Sequence, residues 1–185
     1  TDADATINSG TTTGLIIAAS TIDGDLTLTN GHGATITDSG TVTVGGNLAV
    51  TTNANNGEIN LGTLAVTGTI ALTTDGTGNA TVVNASGLNL AASTVGGTLS
   101  ATATTGNITQ SGVLTITGAT TLVTSANDAT ITLGSTNAFT GALTITTNDA
   151  SGTDADVTID NGTTALIIAA STIDGDLTLT SGNAS

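Results

Sequence analysis

Residues 25–46 read DLTLTNGHGATITDSGTVTVGG, and this stretch shows how the chain folds. Aliphatic residues alternate with Thr, so the two kinds of side chain fall on opposite faces of an extended chain. The inward set is Leu26, Leu28, Ile36, Val42 and Val44, and the outward set is Thr27, Thr29, Thr35, Thr37, Thr41 and Thr43. Breaks rich in Gly and Asn fall at residues 30–33, 38–40 and 45–46. The pattern predicts three short strands joined by tight turns.

Phrases similar to Gly-Asp-Leu-Thr-Leu-Thr recur along the chain and divide it into segments. They begin at Leu26, Leu48, Ile70, Leu99, Leu143 and Leu177, with a looser one centred on Leu122. The segments are 25–46, 47–68, 69–97, 98–118, 119–141 and 142–175. Stacked as turns of a coil, they predict one inward ladder of those six aliphatic residues. The matching outward row is Thr27, Ala49, Ala71, Ser100, Thr121, Thr144 and Thr178. The two longest segments contain Ala-Ala-Ser-Thr, at 91–94 and 169–172, which we interpret as insertions or an extra short strand.

A longer repeat encloses these segments. Residues 15–29, LIIAASTIDGDLTLT, recur unchanged at 166–180, an offset of 151 residues. Residues 1–4, TDAD, recur at 153–156. We interpret 1–185 as a single continuous segment cut from a longer array, with a long repeat at 15–165 and the next copy from 166.

We predict an all-β fold, a parallel β-helix solenoid with about three short strands per turn of about 22 residues. A sandwich of hairpins is the alternative. The coil is favoured because like phrases recur at like positions and would stack in register over seven or eight turns. A right-handed coil is favoured because parallel crossovers are generally right-handed. Asn residues at the corners are expected to form hydrogen-bonded ladders.

Composition excludes several function classes. The chain has no Lys or Arg and a net charge of −14, so it lacks the cations that bind nucleic-acid phosphates or anionic lipid. It has no Cys and one His, which excludes disulfides and Cys- or His-based zinc sites. Phe139 is its single aromatic residue. No apolar run is long enough to span a membrane, so no membrane insertion is expected.

Four acidic pairs are the candidate sites: Asp2/Asp4, Asp23/Asp25, Asp154/Asp156 and Asp174/Asp176. Paired carboxylates can hydrolyse glycosides or bind Ca²⁺. Each pair lies in a Gly- or Ala-rich corner and recurs with the long repeat, which favours solvated turn carboxylates. His32, in Asn-Gly-His-Gly, is interpreted as an exposed corner residue. We therefore expect no catalytic residue, no metal site and no cofactor.

Thr-x-Thr phrases raise a second possibility, a Thr array that binds ice or carbohydrate. They occur at 27–29, 35–37, 41–43, 115–117, 130–132, 144–146 and 178–180. We expect them to fall on all the strands of a turn, with interruptions at Ala49, Ala71 and Val123. That distribution favours a role in strand propensity and solubility over an ice-binding plane.

The phrases GDLTLT (24–29 and 175–180), GNLAVT (46–51) and LTITG (114–118) resemble those of filamentous-haemagglutinin-type exoproteins, large repetitive bacterial adhesins exported by two-partner secretion. The resemblance implies a right-handed β-helix shaft at the bacterial cell surface or outside the cell, with a role in adhesion or biofilm matrix. The predicted function is a non-catalytic shaft of an extracellular fibre, adhesin stalk or matrix filament. Expected partners are other copies of the chain, a host or neighbouring cell surface, or matrix polysaccharide.

Overall fold

A computed structural model describes residues 2–10, 13–148 and 154–182, and these form a parallel β-solenoid of about eight turns with about 21 residues per turn. The all-β coil and its parallel stacking are confirmed, whereas its handedness stays a prediction. Thr1 and Thr153, which belong to the repeated TDAD phrase, lie outside the described residues. The strands are β1 (Ala5–Ser9), β2 (Leu15–Ile17), β3 (Ser20–Ile22), β4 (Leu26–Asn30), β5 (Ile36–Asp38), β6 (Val42–Val44), β7 (Leu48–Thr52), β8 (Ile59–Val66), β9 (Thr69–Thr73), β10 (Ala80–Asn84), β11 (Leu88–Leu90), β12 (Ser93–Val95), β13 (Leu99–Ala103), β14 (Ile108–Gln110), β15 (Leu114–Ile116), β16 (Thr120–Asn127), β17 (Ile131–Leu133), β18 (Ala138–Phe139), β19 (Ala142–Asn148), β20 (Val157–Asp160), β21 (Ile167–Ile168) and β22 (Leu177–Thr180).

The strands form two parallel sheets that enclose one aliphatic core. Sheet A follows the order β1-β4-β7-β9-β11-β14-β17-β20-β22, with β12, β15 and β18 beside that path. Sheet B follows β2-β5-β8-β10-β13-β16-β19-β21, with β3 and β6 beside it. Leu26, Leu48 and Ile70 stack directly over one another in sheet A and are fully buried. Small aliphatic side chains therefore fill the coil by packing on their counterparts in adjacent turns.

The three strands predicted from residues 25–46 are present as β4, β5 and β6, with the inward and outward faces as expected. Asn30 is a correction, because it ends β4 and is buried rather than belonging to the solvated turn. Its Nδ2 donates to the carbonyl oxygen of Ala34 at 3.2 Å across the corner. Thr52 closes the next corner in the same way, with its hydroxyl donating to the Gly57 carbonyl at 2.7 Å. These buried polar side chains pair with corner carbonyls that cannot join a sheet.

Most turns contain one unbroken strand on one sheet and, on the other, two short strands separated by a kink, whereas the turn of β9 and β10 is unbroken on both sheets. In the first turns sheet A is unbroken, as in β4, while sheet B is divided, as in β5 and β6. β8 bridges this division as one strand of eight residues. From β11 onward sheet A is divided, as in β11 and β12, and sheet B is unbroken, as in β13. Sheet A is unbroken again at β20.

This exchange corrects the predicted ladders. Leu26, Leu48 and Ile70 do form one inward column in sheet A. Leu99 instead begins a stretch of a column in sheet B, where it stacks on Thr120 and Thr120 stacks on Leu143. Leu177 returns to sheet A, where it pairs with Val157. The outward row divides likewise, into Thr27–Ala49–Ala71 on sheet A and Ser100–Thr121–Thr144 on sheet B. The six-member ladder was wrong because the same phrase marks the unbroken strand, whichever sheet carries it.

The Ala-Ala-Ser-Thr phrases lie at the kinks and are not insertions. The step between stacked residues is 22 residues from Leu48 to Ile70 and 20 residues from Ile70 to Leu90, so the turn at 91–94 is not lengthened. Here the extra short strand is β12, and at 169–172 there is a single bridge between Thr146 and Thr172. The apparent length of the first segment came from measuring between phrases on different sheets. The second segment also lies in a longer turn, because the step from Leu143 to its partner Ile168 is 25 residues.

At two of the kinks a serine closes the gap in the hydrogen bonding. Ser93 Oγ donates to the Ala91 carbonyl oxygen at 2.9 Å and accepts from the Leu72 backbone N–H of the preceding turn at 3.0 Å. Ser171 makes the same pair of bonds, to the Ala169 carbonyl at 3.0 Å and from the Ile145 N–H at 3.0 Å. The hydroxyl thus replaces a backbone acceptor where an unbroken strand passes a kinked one.

The long repeat spans seven turns. From β4 to β22, the strands that carry the two copies of Leu-Thr-Leu-Thr, sheet A takes seven steps. The second copy is displaced by two residues along the strand direction. The column that starts at Leu26 passes through Leu90 in β11. The column that contains Leu177, the copy of Leu26, passes through Leu88 in the same strand. Two residues along a strand correspond to roughly 7 Å. The repeated segment is therefore displaced around the coil axis from one unit to the next.

We expect Ser93→Ala to destabilise the fold by about 1–3 kcal/mol, because it leaves the buried Leu72 N–H without an acceptor. Urea unfolding followed by circular dichroism measures the change. Ser100→Ala is the matched control, since Ser100 points outward from β13, and it should change stability by less than about 0.5 kcal/mol. Equal losses in the two variants would contradict the role assigned to Ser93.

Candidate functional site

The corner before sheet A carries a ladder of side-chain oxygens along the coil axis. Asp4 Oδ1 accepts the N–H of Asp25 at 2.9 Å, and Asp25 Oδ1 accepts the N–H of Asn47 at 2.7 Å. Asn47 Nδ2 also donates to Asp25 Oδ1 at 3.2 Å. Asn47 Oδ1 in turn accepts the N–H of Thr69 at 2.9 Å. The expected corner ladder is confirmed, although Asp and Thr take part alongside Asn.

A second ladder precedes the strands of sheet B. Asn79 Nδ2 donates to Glu58 Oε1 at 2.8 Å, and Asn79 Oδ1 accepts from the N–H of Thr98 at 2.8 Å and from its hydroxyl at 2.9 Å. Each side chain therefore links its own turn to the next one. The polar residues at the strand starts are accounted for by these inter-turn bonds.

All eight residues of the four predicted acidic pairs are exposed, as expected for turn carboxylates, and some of them also accept hydrogen bonds between turns. Asp4 and Asp25 meet in the first ladder, and Asp156 Oδ1 accepts the N–H of Asp176 at 2.8 Å in another. Asp2, Asp23 and Asp154 are exposed, and the Asp174 N–H donates to Thr147 Oγ1 at 3.0 Å. Among the described residues no group of three or more His, Asp or Glu side chains is placed to hold a metal ion. Three of the four pairs therefore each contribute one acceptor within the coil: Asp4, Asp25 and Asp156.

Three further polar positions were not identified from the sequence. Asp38 accepts the N–H groups of Gly62 and Thr63, at 3.0 and 2.7 Å, where β8 passes the kink between β5 and β6. Buried Asn84 pairs with both backbone groups of Val66, at 2.8 and 3.0 Å. Buried Asn161 pairs in the same way with Phe139, at 2.7 and 3.1 Å. For Asn84 the sequence did contain a signal. Residues 80–84 alternate between inward and outward positions, and Asn84 occupies an inward one.

His32 lies in the corner after β4, where its backbone N–H donates to Asn30 Oδ1 at 3.1 Å. Its side chain is exposed, as expected for a corner residue. Gly33 beside it has a φ of +72°, and a Cβ there would come within 2.4 Å of the Asn55 Cβ in the next turn. The glycine is required both by its left-handed backbone and by the close stacking of corners.

The Thr residues form longer columns than expected. On sheet A one outward column contains five consecutive Thr, flanked by Asn8 and Ala138; they are Thr29, Thr51, Thr73, Thr94 and Thr115. Ala49 and Ala71, the expected interruptions, lie in the neighbouring column. Val123 does interrupt a column on sheet B, between Thr102 and Thr146. The Thr-x-Thr phrases fall on both sheets, as predicted.

A shallow groove of about 510 Å³ opens at one edge of sheet A beside β11, where that sheet is first divided. Its lining is neutral and includes Ser86, Asn89, Asn107 and Thr109. Asn89 Oδ1 is buried and has no hydrogen-bond partner among the described residues. These groups can exchange hydrogen bonds with hydroxyls, but they supply no charge and no nucleophile–base pair.

The geometry defines a parallel β-solenoid repeat protein in which Asp, Asn and Ser side chains at corners and kinks connect successive turns. The chain belongs to a family described as repeats of unknown function (DUF5649), which matches residues 2–62 and 77–146. No curated protein and no solved structure matches the chain. The described residues include no helix long and apolar enough to cross a membrane.

We expect Asn47→Ala to lower stability by about 1 kcal/mol, because it removes the side-chain bonds of Asn47 to the turns on both sides. Asn60→Ala is the control: Asn60 is exposed on the outward face of β8, and its loss should cost less than about 0.5 kcal/mol. Urea midpoints measured at one salt concentration test the difference. If Asn60→Ala cost as much as Asn47→Ala, the stabilising role of the ladder would be refuted.

Proposed function

We propose that this protein is a non-catalytic structural shaft, part of an extracellular fibre, adhesin stalk or biofilm-matrix filament on a bacterial cell. The observation that carries the proposal is the use of polar side chains. Asp25, Asn47 and Asn79 are engaged along the coil axis, and Asn84 and Asn161 complete the backbone pairing inside it. A chain that commits its polar groups to holding turns together is suited to bearing load.

Load along the axis is shared by many parallel bonds. Each turn is joined to the next by backbone bonds such as Leu26 N–H to the Asn47 carbonyl at 2.8 Å, and by the ladders at the corners. Because these bonds run along the axis, separating two turns requires breaking them together. That arrangement resists extension as a cooperative unit.

The composition of the surface favours a location outside the cell. With a net charge of −14 and no Lys or Arg, the chain repels its neighbours and contains no site for trypsin-like proteases. The outward Thr columns and the neutral groove are suited to contact with hydroxyl-rich surfaces, including matrix polysaccharide or a neighbouring cell. The resemblance to filamentous-haemagglutinin-type exoproteins supports the same location.

Immunogold electron microscopy of intact cells that produce the protein tests this function. Antibodies against the purified chain should label fibres or the cell exterior without permeabilisation, and fixed, permeabilised cells provide the control for interior labelling. Label confined to the interior of permeabilised cells would overturn the proposal.

A second candidate function, ice binding, is favoured by the five-Thr column on sheet A. If it holds, the purified chain separates the melting and freezing temperatures of ice. Thr73→Tyr, in the centre of the column, then abolishes the effect, while Thr121→Tyr, on sheet B, leaves it unchanged. Absence of thermal hysteresis in the unmodified chain would remove this candidate.

A further inference from the structure

The groove beside β11 lies where the corner between the two sheets changes position. At the starts of β4 and β7 the ladder residues Asp25 and Asn47 form a column that continues through Thr69 to Asn89. β7 begins one residue after this column, whereas β11 begins one residue before it, at Leu88. Asn89 therefore lies inside a strand, although Asp25 and Asn47 of the same column lie at the corner. The groove of about 510 Å³ opens at this step between the two corner positions.

Asn89 does not make the hydrogen bond that its column makes in the earlier turns. Asn47 Oδ1 accepts the N–H of Thr69 at 2.9 Å, but the buried Oδ1 of Asn89 has no partner among the described residues. Its amide nitrogen makes no hydrogen bond within that part of the chain either. A buried acceptor without a donor costs free energy, and a donor from a bound molecule removes that cost. Rotation about χ2, which is broad for Asn, turns this oxygen toward the groove without breaking a bond.

The other polar groups that line the groove are hydroxyls and amides. Asn107 Oδ1 accepts the N–H of Thr130 at 2.9 Å, which holds this side chain in place, while its Nδ2 makes no bond to the residues that the structure describes. Thr109 follows Asn89 in the same outward column, and its hydroxyl is likewise unpaired within the described chain. A ligand in this groove therefore meets both donors and acceptors. Sugar hydroxyls match such a lining, because each one donates and accepts at once.

Charge distinguishes this part of the coil from the rest. The chain has 14 acidic residues, yet none lies between Asp75 and Asp128. An anionic polysaccharide is repelled by the chain as a whole, whereas a neutral one meets no charge at the groove. We propose that the groove binds a neutral saccharide, with one sugar hydroxyl donating to Asn89 Oδ1 and others contacting Asn107 and Thr109. The volume of the groove lies within the range of about 300–1,000 Å³ found for small-molecule sites.

This proposal rests on the proposed shaft function, since it names the kind of matrix polysaccharide that such a shaft would hold. From Asn89 and Thr109 the outward column continues to Thr132 and Thr158 along the coil axis. A saccharide chain can extend from the groove over these hydroxyls, which favours a polysaccharide over a free sugar. Because the groove is shallow and no aromatic ring lines it, we expect the affinity to be in the millimolar range.

The experiment is a titration of the isotope-labelled chain followed by ¹H–¹⁵N NMR correlation spectra. The probes are the neutral oligosaccharides maltohexaose, cellohexaose and mannohexaose, and an anionic alginate hexamer. At least one neutral probe should shift the backbone amide signals of residues 67–68, 86–89 and 107–109, with saturation in the millimolar range. The alginate hexamer should leave these signals unchanged.

Matched variants decide whether the groove is responsible. Asn89→Ala and Thr109→Val each remove a polar group from the groove and should weaken binding about tenfold. Both should remain folded, because neither side chain bonds to the rest of the described chain. Asn60→Ala and Thr121→Val make the same changes on the outward face of sheet B and should leave binding unchanged.

The proposal is overturned if no neutral probe shifts the groove signals, if alginate binds as well as the neutral probes, or if the sheet B variants weaken binding equally. These outcomes are distinguishable from failure of the shaft function. Labelled fibres on cells together with a purified chain that binds no neutral probe would refute the saccharide site alone. Binding at the groove together with label confined to the cell interior would refute the extracellular shaft alone.

Discussion

The structure depends on one constraint: parallel, in-register stacking places every residue beside its counterpart in the next turn, about 4.8 Å away. A side chain at any position must therefore be compatible with the same position one turn above and one turn below. Leu26, Leu48 and Ile70 satisfy this by packing aliphatic groups, and Asp25 and Asn47 satisfy it by bonding a side-chain oxygen to the next backbone N–H. Glycine is favoured where corners stack too closely for a Cβ, as at Gly33.

The kinks show how the coil tolerates departures from this rule. A kinked pair of strands and an unbroken strand differ in length, so stacking one on the other leaves backbone groups without partners. Ser93 and Ser171 supply hydrogen-bond acceptors where a divided strand follows an unbroken strand in the same sheet. Asn84 and Asn161 supply both a donor and an acceptor where an unbroken strand follows strands that stack on either side of a kink. These residues allow the kinked pair of strands to change from sheet B to sheet A and back within the seven turns of the long repeat.

Much of this architecture could be predicted from the sequence because alternation and repetition are local signals. The strands of residues 25–46, the parallel stacking and the corner ladders were all predicted and are confirmed. The exchange between sheets was not, because the phrase around Leu99 marks an unbroken strand without indicating which sheet carries it. The inward Asn84 and the gap-filling Asp38 were missed for a related reason: their roles depend on the length of the strand in the adjacent turn. The acidic pairs are exposed, as their interpretation as solvated turn carboxylates predicted, but the bonds that Asp4, Asp25 and Asp156 accept from neighbouring turns were not predicted for them.

The most direct test of the account is the measurement of NMR scalar couplings across individual hydrogen bonds in the purified, isotope-labelled chain. The account predicts a coupling between the Leu26 amide nitrogen and the Asn47 carbonyl carbon, and another between Leu99 and Ala119, each joining turns about 21 residues apart. Couplings that instead joined neighbouring strands in an antiparallel, hairpin pattern would contradict the coil and every ladder built upon it.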